Sequence, residues 1–154
     1  MAITTCVFDA YGTLFDVSAA APMASEEPLR EALAENWQAL AAHWRAKQLQ
    51  YTWLRAVTDD HTDFWAVTKD GLDWAMEAVG LDDADLRARL LALYWELAAY
   101  AEVPTMLGAL KSAGRQTAIL SNGSPEMLDG AVTSAGIGDV LDAARRFDAA
   151  TQRT

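Results

Sequence analysis

The sequence holds a single cysteine, Cys6, and two histidines, His43 and His61. One cysteine closes no internal disulfide and builds no multi-cysteine metal site, and so few histidines argue against a histidine metal cluster. Cys6 falls in an apolar run and reads as a small buried residue, with a reactive thiol as the alternative. Basic residues are scarce: 12 lysines and arginines face 22 acids, for a net charge of -10. Nucleic-acid phosphates attract basic surfaces, so nucleic acid is excluded as a partner. The same field means that an anionic ligand needs a local cation. No apolar run approaches the roughly 20 residues that span a bilayer, so no membrane partner is expected. The opening MAITT carries neither a basic region nor a cleavage pattern; it does not read as a signal peptide, and the cytoplasm is the expected location. What is present is 52% hydrophobic residues over 154 positions, enough for the core of about one soluble globular domain.

Ile3 to Phe8 is short, apolar and partly β-branched, and Gly12-Thr13 ends the run soon afterwards, which predicts a buried strand and a turn. From Glu26 to about Arg55 the period changes: Leu29, Leu33, Trp37, Leu40 and Trp44 recur every three or four residues, and Pro28 suits a first helical turn. Phe64 to Val79 repeats the helical pattern through Val67, Leu72 and Met76, with Gly80 as a stop. Asp82 or Asp83 caps a further helix whose core face is Leu86, Leu90, Leu93 and Leu97. Pro104 opens a short helix closed by Gly114. Thr117 to Leu120 reads as a second strand, and Ser124-Pro125 starts a helix closed by Gly136. The tail DVLDAARRFDAATQRT reads as a fraying helix, with Arg145 and Arg146 on a solvated face; a cation serving a site is the alternative for that pair.

Strands with a helix between them, near the two ends of the chain, suggest parallel pairing in an α/β core. The helical block from 17 to 100 then reads as an insertion between core segments 1–16 and 101–154. In open α/β sheets ligands bind beyond the carboxyl ends of the strands. Asp9 stands at one such end and Ser121-Asn122 at another, so a carboxylate, a hydroxyl and an amide converge if the strands are neighbours. The plainer alternative is that Asp9 caps a turn and that Ser121-Asn122-Gly123 is only a loop.

VFDAYGTLFD, Val7 to Asp16, resembles the first motif of the haloacid dehalogenase superfamily, and AILSNGS, Ala118 to Ser124, resembles the second. HWRAKQLQYTWLR, His43 to Arg55, resembles a stretch of the helical cap in one branch, the L-2-haloacid dehalogenases. The resemblance spans about residues 3 to 141. It implies a Rossmann-like parallel-sheet core, here incomplete, with an inserted helical cap. It also implies hydrolysis of (S)-2-haloacids to (R)-2-hydroxy acids through an aspartyl ester. The partners are then a small 2-haloacid and water, with no cofactor and no metal, and a homodimer formed through the helical region.

By the same resemblance Asp9 is the nucleophile and Thr13 orients it; a simple turn residue is the alternative for Thr13. The backbone amides of Ala10 and Tyr11, assisted by Ser121, face the substrate carboxylate, and Asn122 lies near the departing halide. Arg45 attracts the halide and the substrate anion; a guanidinium is always charged and presents several donors. A solvated helix face is the alternative for Arg45. Tyr11, Leu49 and Phe64 form an apolar wall around C2, although Leu49 and Phe64 fall equally well on core stripes. Superfamily phosphatases carry an acid where this chain has Tyr11, to protonate a leaving alkoxide; halide needs no proton, so Asp-x-Tyr favours carbon–halogen cleavage. After Asp142-Ala143 the resemblance stops. The family's later Lys-Pro and Ser-Asn-x-x-Asp motifs have no counterpart, since the lysines are Lys47, Lys69 and Lys111. A chain cut short within the core is therefore expected, with activity in question. The alternatives are a non-catalytic or dimerising remnant and, with less behind it, a phosphatase.

Overall fold

The computed structural model of the chain describes residues 3–27 and 31–146. Strand β1, Thr5–Phe8, pairs in parallel with β2, Gln116–Ser121, and β2 pairs in parallel with β3, Ala143–Arg146. The sheet order is β1-β2-β3. Parallel neighbours need a crossover. Here β1 and β2 are separated by a helical insertion and α5, Val103–Ser112, while β2 and β3 are joined through α6, Pro125–Ser134, and a 3₁₀ turn, Gly138–Val140.

The helices start where the local chemistry says they should. Ser124 Oγ accepts the amide of Met127 at 3.3 Å and Pro125 occupies the first turn, where its missing N–H costs nothing. Pro104 does the same in α5, and Gly114, at φ +70°, follows that helix.

Two units emerge: Met1–Asp16 with Glu96–Thr154, and Val17–Trp95. The first holds the sheet. Residues 96 to 100 go with it rather than with the helical block, because Asp16 N donates to Ala98 O, Tyr100 N donates to Leu14 O, and Phe15 bridges to Ala99. The boundary thus falls five residues earlier than the apolar period suggested, and Leu97, although buried, lies beyond the helix.

The second unit contains α1, Ala20–Ser25; α2, Glu31–Val57; α3, Phe64–Ala78; and α4, Ala84–Trp95. Helix α1 was not visible in the apolar period: its buried face is Ala20, Ala21 and Ala24, small side chains that let a neighbouring helix approach closely. Leu33, Leu40 and Trp44 of α2 are buried, as are Val67, Leu72 and Met76 of α3 and Leu86, Leu90 and Leu93 of α4. Asp63 Oδ1 caps α3 through Ala66 N at 2.9 Å, and Asp83 Oδ1 caps α4 through Leu86 N at 2.8 Å. The first-turn role expected of Pro28, and the place of Leu29 on the core face, lie outside the described residues.

Two expectations are corrected. The expected helix of the tail is a 3₁₀ turn and strand β3 as far as Arg146; residues 147–154 lie outside the described set. Ala-Ala-Arg-Arg favours helix locally, but the open edge of β2 offers a ladder, and Asp142 sets it up. Its backbone N donates to Thr117 O at 2.9 Å while its Oδ2 accepts Thr117 N at 2.8 Å. Thr117 Oγ1 also donates to Val140 O at 2.7 Å. The first strand, read as buried, is not: Cys6 is half-buried and Val7 is 58% exposed. Leu120, on β2, is 42% exposed. Parallel sheets are ordinarily covered on both faces, whereas here these two side chains stay largely open to solvent.

Candidate active site

In the sheet unit the backbone turns sharply as it leaves β1. Ala10, fully buried, accepts the amides of Leu14 at 2.9 Å and Phe15 at 3.0 Å through its carbonyl, and Gly12 takes φ +88° so that its own N–H reaches Phe15 O at 2.9 Å. A positive φ of this size suits glycine and few others. The turn leaves Asp9 exposed, one residue beyond the paired end of β1, and brings Thr13 back beside it: Thr13 Oγ1 donates to Asp9 Oδ2 at 3.3 Å.

Ser121 ends the neighbouring strand two residues past Ile119, the partner of Phe8. It is buried, and its Oγ accepts Gly123 N at 3.3 Å, which pins the loop; Asn122 between them is exposed. The two loops meet through Tyr11. Its ring is buried, lies 6.1 Å from the Phe15 ring, and presses so closely on Gly123 that a Cβ there would sit 2.6 Å from Tyr11 Cε2. Asp9, Thr13, Ala10, Tyr11, Ser121 and Asn122 therefore share the carboxyl end of the β1–β2 pair. Gly123 and Phe15 were not singled out from sequence; a glycine beside a strand end, where another backbone or ring approaches, was the available signal.

Arg45, Leu49 and Phe64 belong to the helical unit. Leu49 is exposed and Phe64, at the start of α3, is half-buried. Arg45 is half-buried, and its Nη1 donates to Gln48 Oε1 at 2.9 Å. Gln48 is buried; its Nε2 donates to Thr68 Oγ1 at 2.7 Å and to Tyr94 Oη at 2.8 Å. Thr68 Oγ1 donates to Phe64 O at 2.8 Å, and Trp44 Nε1 donates to Thr68 O at 2.8 Å. A buried amide left without partners would cost about 1–3 kcal/mol, so this network is coherent or it is expensive. Sequence reasoning missed Gln48, Thr68 and Tyr94. The signal was that position 48 continues the α2 face of Leu33, Trp37, Leu40 and Trp44, so a polar residue there has to be buried and partnered.

A pocket of about 520 Å³ opens at the α3–α4 turn and is lined in part by Asp73, Glu77, Asp82, Asp83 and Arg87. Arg87 Nη2 donates to Asp73 Oδ2 at 2.9 Å, and this bond holds the guanidinium above its ordinary pKa. Four acids facing one cation already committed to a carboxylate repel an anionic ligand, so the pocket does not compete with the strand ends. Among the described residues no group of histidine, cysteine, aspartate and glutamate is arranged to hold a metal ion, and no helix is long and apolar enough to cross a membrane.

The chain is 44% identical to (S)-2-haloacid dehalogenase 1 of Pseudomonas sp. (strain CBS-3), over 91% of this chain and 60% of that protein. It is 40% identical to (S)-2-haloacid dehalogenase 4A of Burkholderia cepacia, over 95% and 62% of the two lengths. The L-2-haloacid dehalogenase of Xanthobacter autotrophicus, solved with chloropropionic acid covalently bound, superposes with a TM-score of 0.83 at 37% identity, over 97% of this chain and 58% of that one. The chain thus spans about three fifths of the length of these relatives. A family model described as a haloacid dehalogenase-like hydrolase matches residues 3–151, taking in the Asp9 turn, the Ser121 loop and the Arg45 helix together. With sequence, sheet and strand-end carboxylate in agreement, the chain belongs to the haloacid dehalogenase-like hydrolases.

Proposed function

We propose that the chain carries the displacement half of an (S)-2-haloacid dehalogenase. The observation behind this reading is Asp9: an exposed carboxylate at the carboxyl end of a parallel strand, held by the Thr13 hydroxyl, next to Tyr11 where a phosphatase has a second acid. A carboxylate is ionised at neutral pH and makes an ester that water can open. Thr13 orients Oδ2, and a carboxylate lone pair attacks C2 of the haloacid from the face opposite the halogen. The new bond is Asp9 O–C2; the C–halogen bond breaks, and halide leaves with its electron pair, inverting C2. Halide is a weak base and asks for no proton, so Tyr11 need not be an acid. The amides of Ala10 and Tyr11 and the Ser121 hydroxyl face the substrate carboxylate, with Asn122 near the halide. To Arg45, in the helical unit, this reading assigns the positive charge that a monoanion needs in a chain of net charge -10, and to Leu49 and Phe64 of the same unit the apolar surface. No metal is required, because the substrate carries a single charge and the leaving group no developing alkoxide. The hydrolytic half that completes a dehalogenase turnover has water add to the aspartyl carbonyl carbon; the acyl C–O bond then breaks, and the alkoxide takes a proton to give the (R)-2-hydroxy acid and a free carboxylate.

Incubation with L-2-chloropropionate is expected to release chloride and to form an ester on Asp9, read by ion chromatography and intact mass. No chloride and no adduct would end the reading.

A second reading, a homodimer through the helical unit, is favoured by α2. Trp53 and Val57 are spaced four apart on one face; Trp53 is 70% and Val57 85% exposed. Sedimentation should show a dimer that Trp53→Glu converts to monomer; a parent that sediments as a monomer refutes it.

A further inference from the structure

Gln48 is one of the most enclosed polar side chains in the helical unit, 1% exposed, and it stands three residues from Arg45 on the same helix. Its partners fix which end of the amide is which. Two hydroxyl oxygens, of Thr68 and Tyr94, take the two N–H donors of Nε2, and a cationic neighbour, Arg45, donates to Oε1. Thr68 is itself anchored: its hydroxyl donates to Phe64 O and its carbonyl accepts Trp44 Nε1. The oxygen of Gln48 is thus aimed by α3 and α4 at the guanidinium, beside a cavity of about 10 Å³ lined by Val17, Ala41, Trp44, Arg45, Gln48 and Tyr94.

We infer that Gln48 is a positioning residue for Arg45: a rigid neutral acceptor that helps to order the guanidinium and adds no negative charge of its own beside it. This rests on the reading that Arg45 meets the substrate anion. A flexible arginine loses rotamer freedom when it captures an anion, whereas one ordered during folding has lost it already. A carboxylate at 48 would order the guanidinium as well, through a charge-assisted bond, but would weaken its pull on an incoming anion. An apolar side chain would withdraw this hydrogen bond. An amide is the side chain that does the first without the second.

The test uses the whole chain with ¹⁵N-labelled arginine, the Arg45 Nε–H signal being identified by Arg45→Lys. In Gln48→Met its order parameter is expected to fall measurably below that of the parent, while Gln48→Glu keeps it at the parent's value. In the rate of ester formation from L-2-chloropropionate, both variants raise the half-saturating concentration about tenfold and change the limiting rate less than about twofold, the signature of lost binding rather than lost chemistry. Arg45→Met combined with Gln48→Met is no worse than Arg45→Met alone. An unchanged order parameter in Gln48→Met overturns the inference. So does a Gln48→Glu chain that saturates like the parent, or a double variant whose loss is the product of the two. If the parent forms no ester, the displacement reading falls and the order parameter alone decides the role of Gln48.

Discussion

Asp9→Asn is expected to lower the rate of ester formation from L-2-chloropropionate by at least about a thousandfold, the loss typical when a nucleophile is removed. The asparagine amide has nearly the shape of the carboxylate and can still accept the Thr13 hydroxyl, so the turn around it is kept. What disappears is the negative charge and the lone-pair reactivity that displace halide. Because Asp9 is exposed, and among the described residues its side chain accepts only the 3.3 Å bond from Thr13, stability should change by no more than about 0.5 kcal/mol. That separation matters: a variant that melts like the parent yet gains no mass locates the defect in chemistry. Peptide mapping of the parent adduct must find the added mass on the segment containing Asp9. An adduct on another residue, or one that survives in Asp9→Asn, would refute the assignment however active the chain proved.

Why Asp9 could be singled out from sequence, and Gln48 could not, is a matter of what local signals encode. An apolar run ended by a carboxylate and a Gly-Thr turn announces a strand end, because backbone geometry and strand-end chemistry are both local. Helix starts at Ser124-Pro125 and Asp83 were legible for the same reason: a cap bonds an amide three residues away. The partners of Gln48 come from α3 and α4, 20 and 46 residues on, and no neighbour along the chain announces them. Strand β3 failed differently. Its sequence favours helix, and only the edge of β2, with Thr117 and Asp142 exchanging backbone and side-chain bonds, makes it a strand. Exposure of Val7 was also illegible, since an apolar strand residue looks the same whether or not anything covers it. Tertiary pairing overrides propensity wherever propensity is weak.

Gly123→Ala is expected to destabilise the sheet unit by about 1–3 kcal/mol and to slow ester formation by about tenfold to a hundredfold. Position 123 is outside the positive-φ set, so the demand for glycine here is one of space rather than backbone freedom. An added Cβ meets Tyr11 Cε2 at 2.6 Å, with Tyr11 Cζ and Oη at 3.3 and 3.2 Å. Contacts that short do not persist, so either the ring or the loop must move. The ring has little room, being buried and packed on Phe15. The loop is held by Ser121 Oγ through the Gly123 amide. Displacement therefore passes to the turn that bears Asp9 and Thr13, where a shift of the order of 1 Å is enough to spoil an in-line attack. Two companions make the argument sharp. Gly108→Ala, in the middle of α5 with nothing within 4 Å of the new methyl, should be neutral or stabilising by up to about 1 kcal/mol, which shows that a methyl as such does no harm. Tyr11→Ala with Gly123→Ala should be no less stable than Tyr11→Ala alone, because the clash has lost one partner. Thermal unfolding and adduct kinetics on the four variants and the parent decide it, and a Gly123→Ala chain that melts and reacts like its parent would mean that the two loops are not locked together by Tyr11.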